Sequence, residues 1–408
     1  TEYDLVCRLL LEKKKKKTKN RNTNTKNDIS HLGYTINEFP GFYPFRRDFN
    51  YSGKIKRNAQ VSQVLKHYDL NELNSIIKNS VKYGVNAFSV HLDECSTVCE
   101  EPSLKNSKKI FKDGLQINSL SDIENLFKMV DFKNFSLYFK NVVNPSYLLC
   151  LLYAYGKKHS HFIDNINIAI EFDPYSFLAK YGYLPNNIEV NFNDLSKSIK
   201  YVNEQNLKLK LICADSSIYM ESGANAVQQL AYTIATAVEY IKGLIDNHSI
   251  EEISKRFIMN FAIGPNFFVE VAKFRAARYL WAKIIKEFGG DTNSQKSFIK
   301  ANTSLKNKSK LDVYVNMLRN TTETLSAIIG GCDLIDVTFF DDIIGIPDEF
   351  SRRNARNTQI VLQEECNLKE VIDPAGGSWF VENLTNELIT KAWKHFQQIE
   401  QNGGMLAS

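Results

Sequence analysis

The segment from Leu207 to Gly289 constrains the fold more than any other part of this chain, because it runs through two strand–helix units without a break. Leu207-Lys-Leu-Lys-Leu-Ile-Cys213 reads as a strand, and a polar turn follows at Asp215-Ser-Ser217. From Gly223 to Ile245 the residues Ala226, Leu230, Thr233, Ile234, Ala237, Val238 and Ile241 recur at helical spacing. Phe257-Ile-Met-Asn-Phe-Ala262 is a second strand. Beyond Gly264-Pro265 a second helix covers Phe267 to Phe288, closed by Gly289-Gly290. Strands joined by long helices pair in parallel, since only a crossover brings the second strand back in the same direction.

The rest of the chain repeats this unit. Strand-length apolar runs occur at Asn86 to Leu92, Phe135 to Phe139, Ile166 to Phe172, Ser297 to Thr303, Asp333 to Val337 and Glu370 to Asp373, which with the two central strands makes eight. Helical patterns lie between them at Pro145 to Lys157, Asp194 to Gln205, Leu311 to Ile329 and Phe350 to Glu365, and a helix over Leu70 to Tyr83 feeds the first strand. Eight such units predict an α/β fold, a closed (β/α)8 TIM barrel. An open doubly wound sheet also alternates, but no Gly-x-Gly-x-x-Gly follows a first strand.

Pro40-Gly-Phe-Tyr-Pro-Phe-Arg-Arg47 joins turn residues to aromatics and two guanidinium groups, and predicts an ordered arm over Pro40 to Tyr51, laid outside the barrel. Residues 1–39 are of low complexity and are expected to be a disordered arm, 40–400 the barrel domain, and 401–408 a tail. The net charge of +5 is small, and the run Lys13 to Lys17 accounts for it, so a solvated arm is favoured over nucleic-acid binding. No run of membrane-spanning length exists. The seven cysteines, at 7, 95, 99, 150, 213, 332 and 366, form no Cys-x-x-Cys and read as reduced thiols of a cytoplasmic protein.

Candidate chemistry is sparse. Seven histidines, at 31, 67, 91, 159, 161, 248 and 395, are scattered, no metal site is expected, and His91 reads as a packed strand residue rather than a base. Asp336, Asp341 and Asp342 cluster at the C-terminal end of a strand, where barrel enzymes place their chemistry, although the last two also fit a solvated loop. Gly330-Gly331 and Gly376-Gly377 are weak phosphate-cradle candidates, the first equally well a helix stop.

Four long segments, in order, resemble the barrel domain of the adenosylcobalamin-dependent methylmalonyl-CoA mutases. They are Ser222 to Thr233, Phe268 to Ala282, Ala355-Arg-Asn-Thr-Gln359 with Glu364-Glu365, and Asp373-Pro-Ala-Gly-Gly-Ser-Trp-Phe-Val-Glu382. The resemblance runs from about Pro40 to Gln398.

Departures from the family's catalytic chain are informative. That chain carries a Tyr-His pair whose histidine donates to the migrating thioester carbonyl; aligned on Gly223-Ala224, this sequence has Ser217-Ile218. Its substrate-lining Thr-Ser-Gly-Trp-Ser and Ser-Leu-His-Thr-Asn become Thr303-Ser-Leu-Lys-Asn307 and Leu334-Ile-Asp-Val-Thr338, so Asp336 replaces a second histidine. The cobalt-ligating Asp-x-His-x-x-Gly does not occur in these 408 residues. The resemblance therefore implies the small, non-catalytic subunit of a heterodimeric mutase. No catalytic, cofactor-binding or metal residue is expected in this chain, inactivity is expected of it alone, adenosylcobalamin is expected on a large catalytic partner, and acyl-CoA is met only through that partner. The rival readings are a self-sufficient acyl-CoA enzyme built on Asp336, Asp341 and Asp342, and a stand-alone binding barrel. The strands' Phe, Tyr, Ile and Lys residues further predict a packed axis with no continuous tunnel.

Overall fold

Strand and helix alternate as expected, and in the computed structural model the strands close on themselves. It describes residues 40–48, 58–66, 70–101, 103–110, 114–128, 130, 135–159, 167–345 and 347–408. The expected low-complexity arm, residues 1–39, lies outside the described residues.

The parallel strands are β1 (Gln60–Leu65), β2 (Ala87–His91), β3 (Ser136–Val142), β4 (Asn167–Phe172), β5 (Lys210–Asp215), β6 (Phe257–Ile263), β7 (Ile299–Thr303) and β8 (Leu334–Asp336), paired in chain order. The ring closes between β8 and β1, where Ser62 stands opposite Asp336. Around it lie α1 (Leu70–Lys82), α2 (Glu94–Val98), α3 (Leu120–Phe127), α4 (Pro145–Lys158), α5 (Pro174–Tyr181), α6 (Ile188–Glu204), α7 (Ser217–Glu221), α8 (Ala226–Leu244), α9 (Ile250–Ser254), α10 (Phe267–Glu287), α11 (Val315–Gly330), α12 (Glu349–Ile360) and α13 (Trp379–Gln401). Among the described residues no helix is long and apolar enough to cross a membrane.

The central unit shows why these residues form these elements. Asn225 starts α8 through a capping box, its side chain accepting from the Gln228 amide while the Gln228 side chain accepts from its own, both at 3.0 Å. Leu230, Ile234, Val238 and Ile241 of α8 are then buried on one face against the strands. α10 is buried along most of its length because α13 and α11 also pack on it. Gly331 ends α11 in the left-handed conformation, φ 78°, and Arg278 donates to the carbonyls of Gly330 and Gly331 at 2.7 and 3.0 Å. That pair is a helix stop, not a phosphate cradle.

One expected strand is wrong and one was missed. Glu370 to Asp373 does not join the sheet: Leu368–Glu370 is a short 3-10 turn, Val371 is half-exposed and Asp373 has φ 49°. The missing strand is β1, so α1 follows the first strand rather than leading into it. Gln60-Val-Ser-Gln-Val-Leu65 lacks the apolar character of its neighbours because Ser62 faces a polar barrel interior.

The Asp373 to Glu382 segment instead organises an ion cluster. Arg275, fully buried on α10, lies 3.0 Å from Asp373 and donates to Glu382 at 2.6 Å. Arg47 approaches the same two acids at 3.7 and 3.4 Å, and Arg46 reaches Glu382 at 3.6 Å. The Gly377 amide also donates to Glu382, at 3.1 Å, and a Cβ on Gly376 would sit 2.6 Å from an Asp373 oxygen. Gly376-Gly377 thus serves the cluster, and no phosphate. The described part of the expected arm, residues 40–48, is held here, with Phe45 buried and Arg278 donating to the Arg46 carbonyl at 3.3 Å.

Replacing Arg275 by leucine leaves two buried carboxylates short of their main counter-charge. The unfolding free energy, measured by urea denaturation, is expected to fall by about 3–5 kcal/mol. A loss below about 1 kcal/mol would mean that Arg46 and Arg47 satisfy both acids without it.

Candidate functional site at the barrel mouth

The barrel interior is filled in layers. Ala87, Tyr138, Ala169, Cys213, Ile258 and Leu334, with Phe298 against them, form an apolar floor. Above it the inward positions turn polar: Ser62 on β1, Ser89 on β2, Glu171 on β4, Lys300 on β7 and Asp336 on β8 are all buried. Lys300 Nζ lies 2.6 Å from Glu171, 2.9 Å from Ser89 and 3.2 Å from Asp336. Ser62 and Ser89 donate to Asp336 at 2.5 and 2.8 Å. Burial alone would discharge Lys300, but Asp336 and Glu171 outweigh it and hold the ammonium well above the usual lysine range. These side chains fill the axis at this level.

Above the plug a cavity of about 340 Å³ opens at the C-terminal ends of the strands, lined among others by Lys66, His91, Lys140, Asp215, Ile218, Asn302, Thr338 and Asp342. Its charges are satisfied within the chain. Lys140 lies 3.4 Å from Asp215, and Lys66 is 2.6 Å from Asp342. Burial opposes ionisation of Asp215, yet Lys140 and the Ser217 hydrogen bonds outweigh it and lower its pKa. His91 is corrected from a packed core residue to a half-buried wall of the cavity. Burial, then Lys140 and Lys66, push its pKa well below the ordinary histidine value, so the ring is neutral near pH 7.

Asp336 and Asp342 both line this cavity, but each of the three aspartates has its own partner. Asp336 is locked in the plug, Asp342 pairs with Lys66, and Asp341 accepts from Ser351 at 2.5 Å without lining the cavity. Neither Asp341 nor Asp342 is a freely solvated loop residue. Ile218, on the single turn α7, contributes an apolar wall. At the end of β7 Thr303 bonds Thr338 at 2.7 Å, and in the loop that follows the Ser304 hydroxyl and Leu305 amide donate to Glu221 at 2.7 and 3.1 Å. Among the described residues no group of three or more His, Cys, Asp or Glu side chains is placed to hold a metal ion.

Sequence reasoning found Ile218, Asp336, Asp341 and Asp342 but missed Lys300, Glu171, Lys140, Asp215, Ser62 and Ser89. The available signal was a charged residue inside an otherwise apolar strand, present at Lys140, Glu171 and Lys300. Such a residue is buried only with a partner.

Comparison with known proteins bears on this site. The methylmalonyl-CoA mutase family profile matches residues 13–408, a wider span than the Pro40 to Gln398 stretch carrying the motifs. The methylmalonyl-CoA mutase of Rhizobium meliloti is 31% identical over 391 residues, 93% of this chain and 54% of that protein. The methylmalonyl-CoA mutase small subunit of Porphyromonas gingivalis is 45% identical over 187 residues, 45% of this chain and 30% of that protein. The small subunit from Streptomyces virginiae is 42% identical over 201 residues, 49% of this chain and 32% of that protein. The chain spans about half the length of the curated full-length mutases it matches.

One buried acid beneath the mouth gives a pH signature. Asp173 accepts from the Asp215 amide and the Tyr240 hydroxyl, both at 2.8 Å, yet burial pushes its pKa up to about 7. An unfolded aspartate ionises near pH ~3.9, so above that pH the folded state holds a proton that the unfolded chain has released. The stability from this group is full below about pH 4 and is lost as pH rises through about 7. The unfolding free energy of wild type minus that of Asp173→Asn should therefore decrease by about 4 kcal/mol between about pH 4 and 7. A flat difference in urea melts across that range would contradict it.

Proposed function

Because this chain belongs to the methylmalonyl-CoA mutase family, we propose that it is the small, non-catalytic subunit of a heterodimeric, adenosylcobalamin-dependent mutase interconverting methylmalonyl-CoA and succinyl-CoA. The observation that carries this reading is the chemistry of the mouth. Where the catalytic chain of the family has its histidine donor, Ile218 presents hydrocarbon, and an isoleucine cannot donate to a thioester carbonyl. Where that chain has a second histidine, Asp336 lines the cavity with its carboxylate already bonded to Lys300, Ser62 and Ser89. The similarity to two proteins named as small subunits supports the same reading.

The axis supports it independently. A CoA tail threaded along the barrel needs an open, small-residue path, whereas Tyr138, Ile258, Phe298 and the Lys300 network occupy it. Nor do the mouth residues fit the cofactor's reacting end, since they offer no donor beside the reacting carbonyl and no open axis to seat the substrate. Radical chemistry belongs to adenosylcobalamin, and the protein's part is to set that group against its substrate. On this reading the large subunit does so. The carboxylate-based enzyme is disfavoured because Asp336, Asp341 and Asp342 go to three different partners.

The isolated chain should then show no mutase turnover and no micromolar binding of a CoA thioester by calorimetry. Loss of a transition-state donor costs about 2.7–4 kcal/mol, but Ile218→His should stay inactive, because it restores one donor and leaves the axis filled. Mixing with the cognate large subunit should give a one-to-one complex on size-exclusion chromatography, with cobalamin-dependent isomerase activity. Turnover by the chain alone, or failure to co-elute, would defeat the proposal.

A further inference from the structure

Among the described residues, every fully buried lysine is met by a carboxylate: Lys140 by Asp215 at 3.4 Å, Lys273 by Glu270 at 2.5 Å, Lys300 by Glu171 at 2.6 Å and Lys308 by Glu323 at 2.7 Å. Lys210 breaks that pattern. It is the first residue of β5, at the end of the barrel away from the mouth, and is half-buried. Its Nζ donates to backbone carbonyls, those of Phe257 at 3.2 Å and Lys255 at 3.5 Å, and no acid among the described residues forms an ion pair with it. The same nitrogen lies 4.7 Å from the centroid of the Phe298 ring, which in turn stacks on Tyr138 of the apolar floor at 6.1 Å.

Two charged side chains act on this amine from neighbouring strands. Asp333, before β8, favours the ammonium form, and Arg256, before β6, opposes it. Arg256 cannot turn away, because it is buried and its guanidinium donates to the carbonyls of Leu207 and Leu209 and to Asn203, each at 2.7 Å. Burial outweighs Asp333 and, with Arg256 adding to it, brings the Lys210 pKa down to about 8.

A lysine desolvated beside a second cation gives up its proton near neutral pH and becomes a nucleophile. We propose that Lys210 is an acylation site, whose amine takes a short acyl group from an acyl-CoA thioester. The Nζ lone pair attacks the thioester carbonyl carbon, the carbon–sulfur bond breaks, an amide forms, and CoA leaves as its thiol with the proton shed by the nitrogen. The half-exposed Phe298 ring gives the acyl chain an apolar surface to lie on. Lys208 and Lys255 are exposed next to the site and attract the phosphates of CoA. The amide carries no charge, so the repulsion from Arg256 ends with the reaction. An encounter is enough for this step, with no standing complex, and the inference does not depend on the small-subunit reading.

The test incubates the full folded chain with acetyl-CoA or, in parallel, acetyl phosphate, together with a short unstructured lysine peptide, and follows acetylation of each lysine by peptide mass spectrometry. A lysine titrating near ~10.4 should react about 9-fold faster at about pH 9.5 than at about pH 8.5. Lys210 should gain less than about 1.5-fold over that interval, having levelled off. In denaturing urea it should rise with the peptide, since burial is then lost. A folded-state profile parallel to the peptide's, or no acetyl group on Lys210 once Lys208 and Lys255 have reacted, overturns the proposal. So does a levelled profile that survives in urea, which would assign the effect to local sequence. Labelling by acetyl phosphate with none by acetyl-CoA overturns the thioester assignment.

Discussion

The barrel is organised around one buried ammonium group. Lys300 projects from β7 between Glu171 of β4 and Asp336 of β8 and donates to Ser89 of β2, while Ser62 of β1 donates to Asp336. Five of the eight strands therefore meet in one network, including both strands of the closing seam. An isolated cation at that depth would be far too costly, so lysine and acids must be placed together or not at all. That requirement fixes which residues face inward on β1, β4, β7 and β8.

A second cluster does the equivalent work outside the ring. Arg275 draws Asp373 and Glu382 onto α10, and Arg46 and Arg47 bring the Pro40–Asp48 arm to the same point. The segment Asp373 to Glu382 carries one of the strongest family resemblances, yet its polar groups are spent on holding α13 and the arm. Family membership and active-site chemistry are thus written in different residues. The scaffold motifs match, while Ile218 and Asp336 at the mouth depart from the catalytic pattern.

Most of the fold was legible because apolar strands and amphipathic helices alternate so regularly: seven strands and the long helices stand where their patterns place them. β1 escaped because its inward residue is Ser62, part of the polar plug, so its pattern is weaker than that of an ordinary barrel strand. Glu370 to Asp373 was misread because four apolar and acidic residues resemble a strand end, and only the left-handed Asp373 and the Arg275 contact show otherwise. At the mouth, Ile218 was singled out only through the family resemblance, and Asp336 through that resemblance and its place at a strand end. The locking of Asp336 was not legible, since its partners Lys300, Ser62 and Ser89 are brought to it only by barrel closure.

The plug also bears on why an interior of this kind persists. Buried ion pairs are poor sources of stability, because desolvation cancels most of the attraction and a hydrophobic replacement of equal volume is often as good. What such a pair supplies is discrimination. Sliding β7 by one residue against β8 would turn Lys300 out of the interior, toward the helix layer, and leave Asp336 and Glu171 without a cation. The wrong registers are thus penalised more heavily than the right one is favoured.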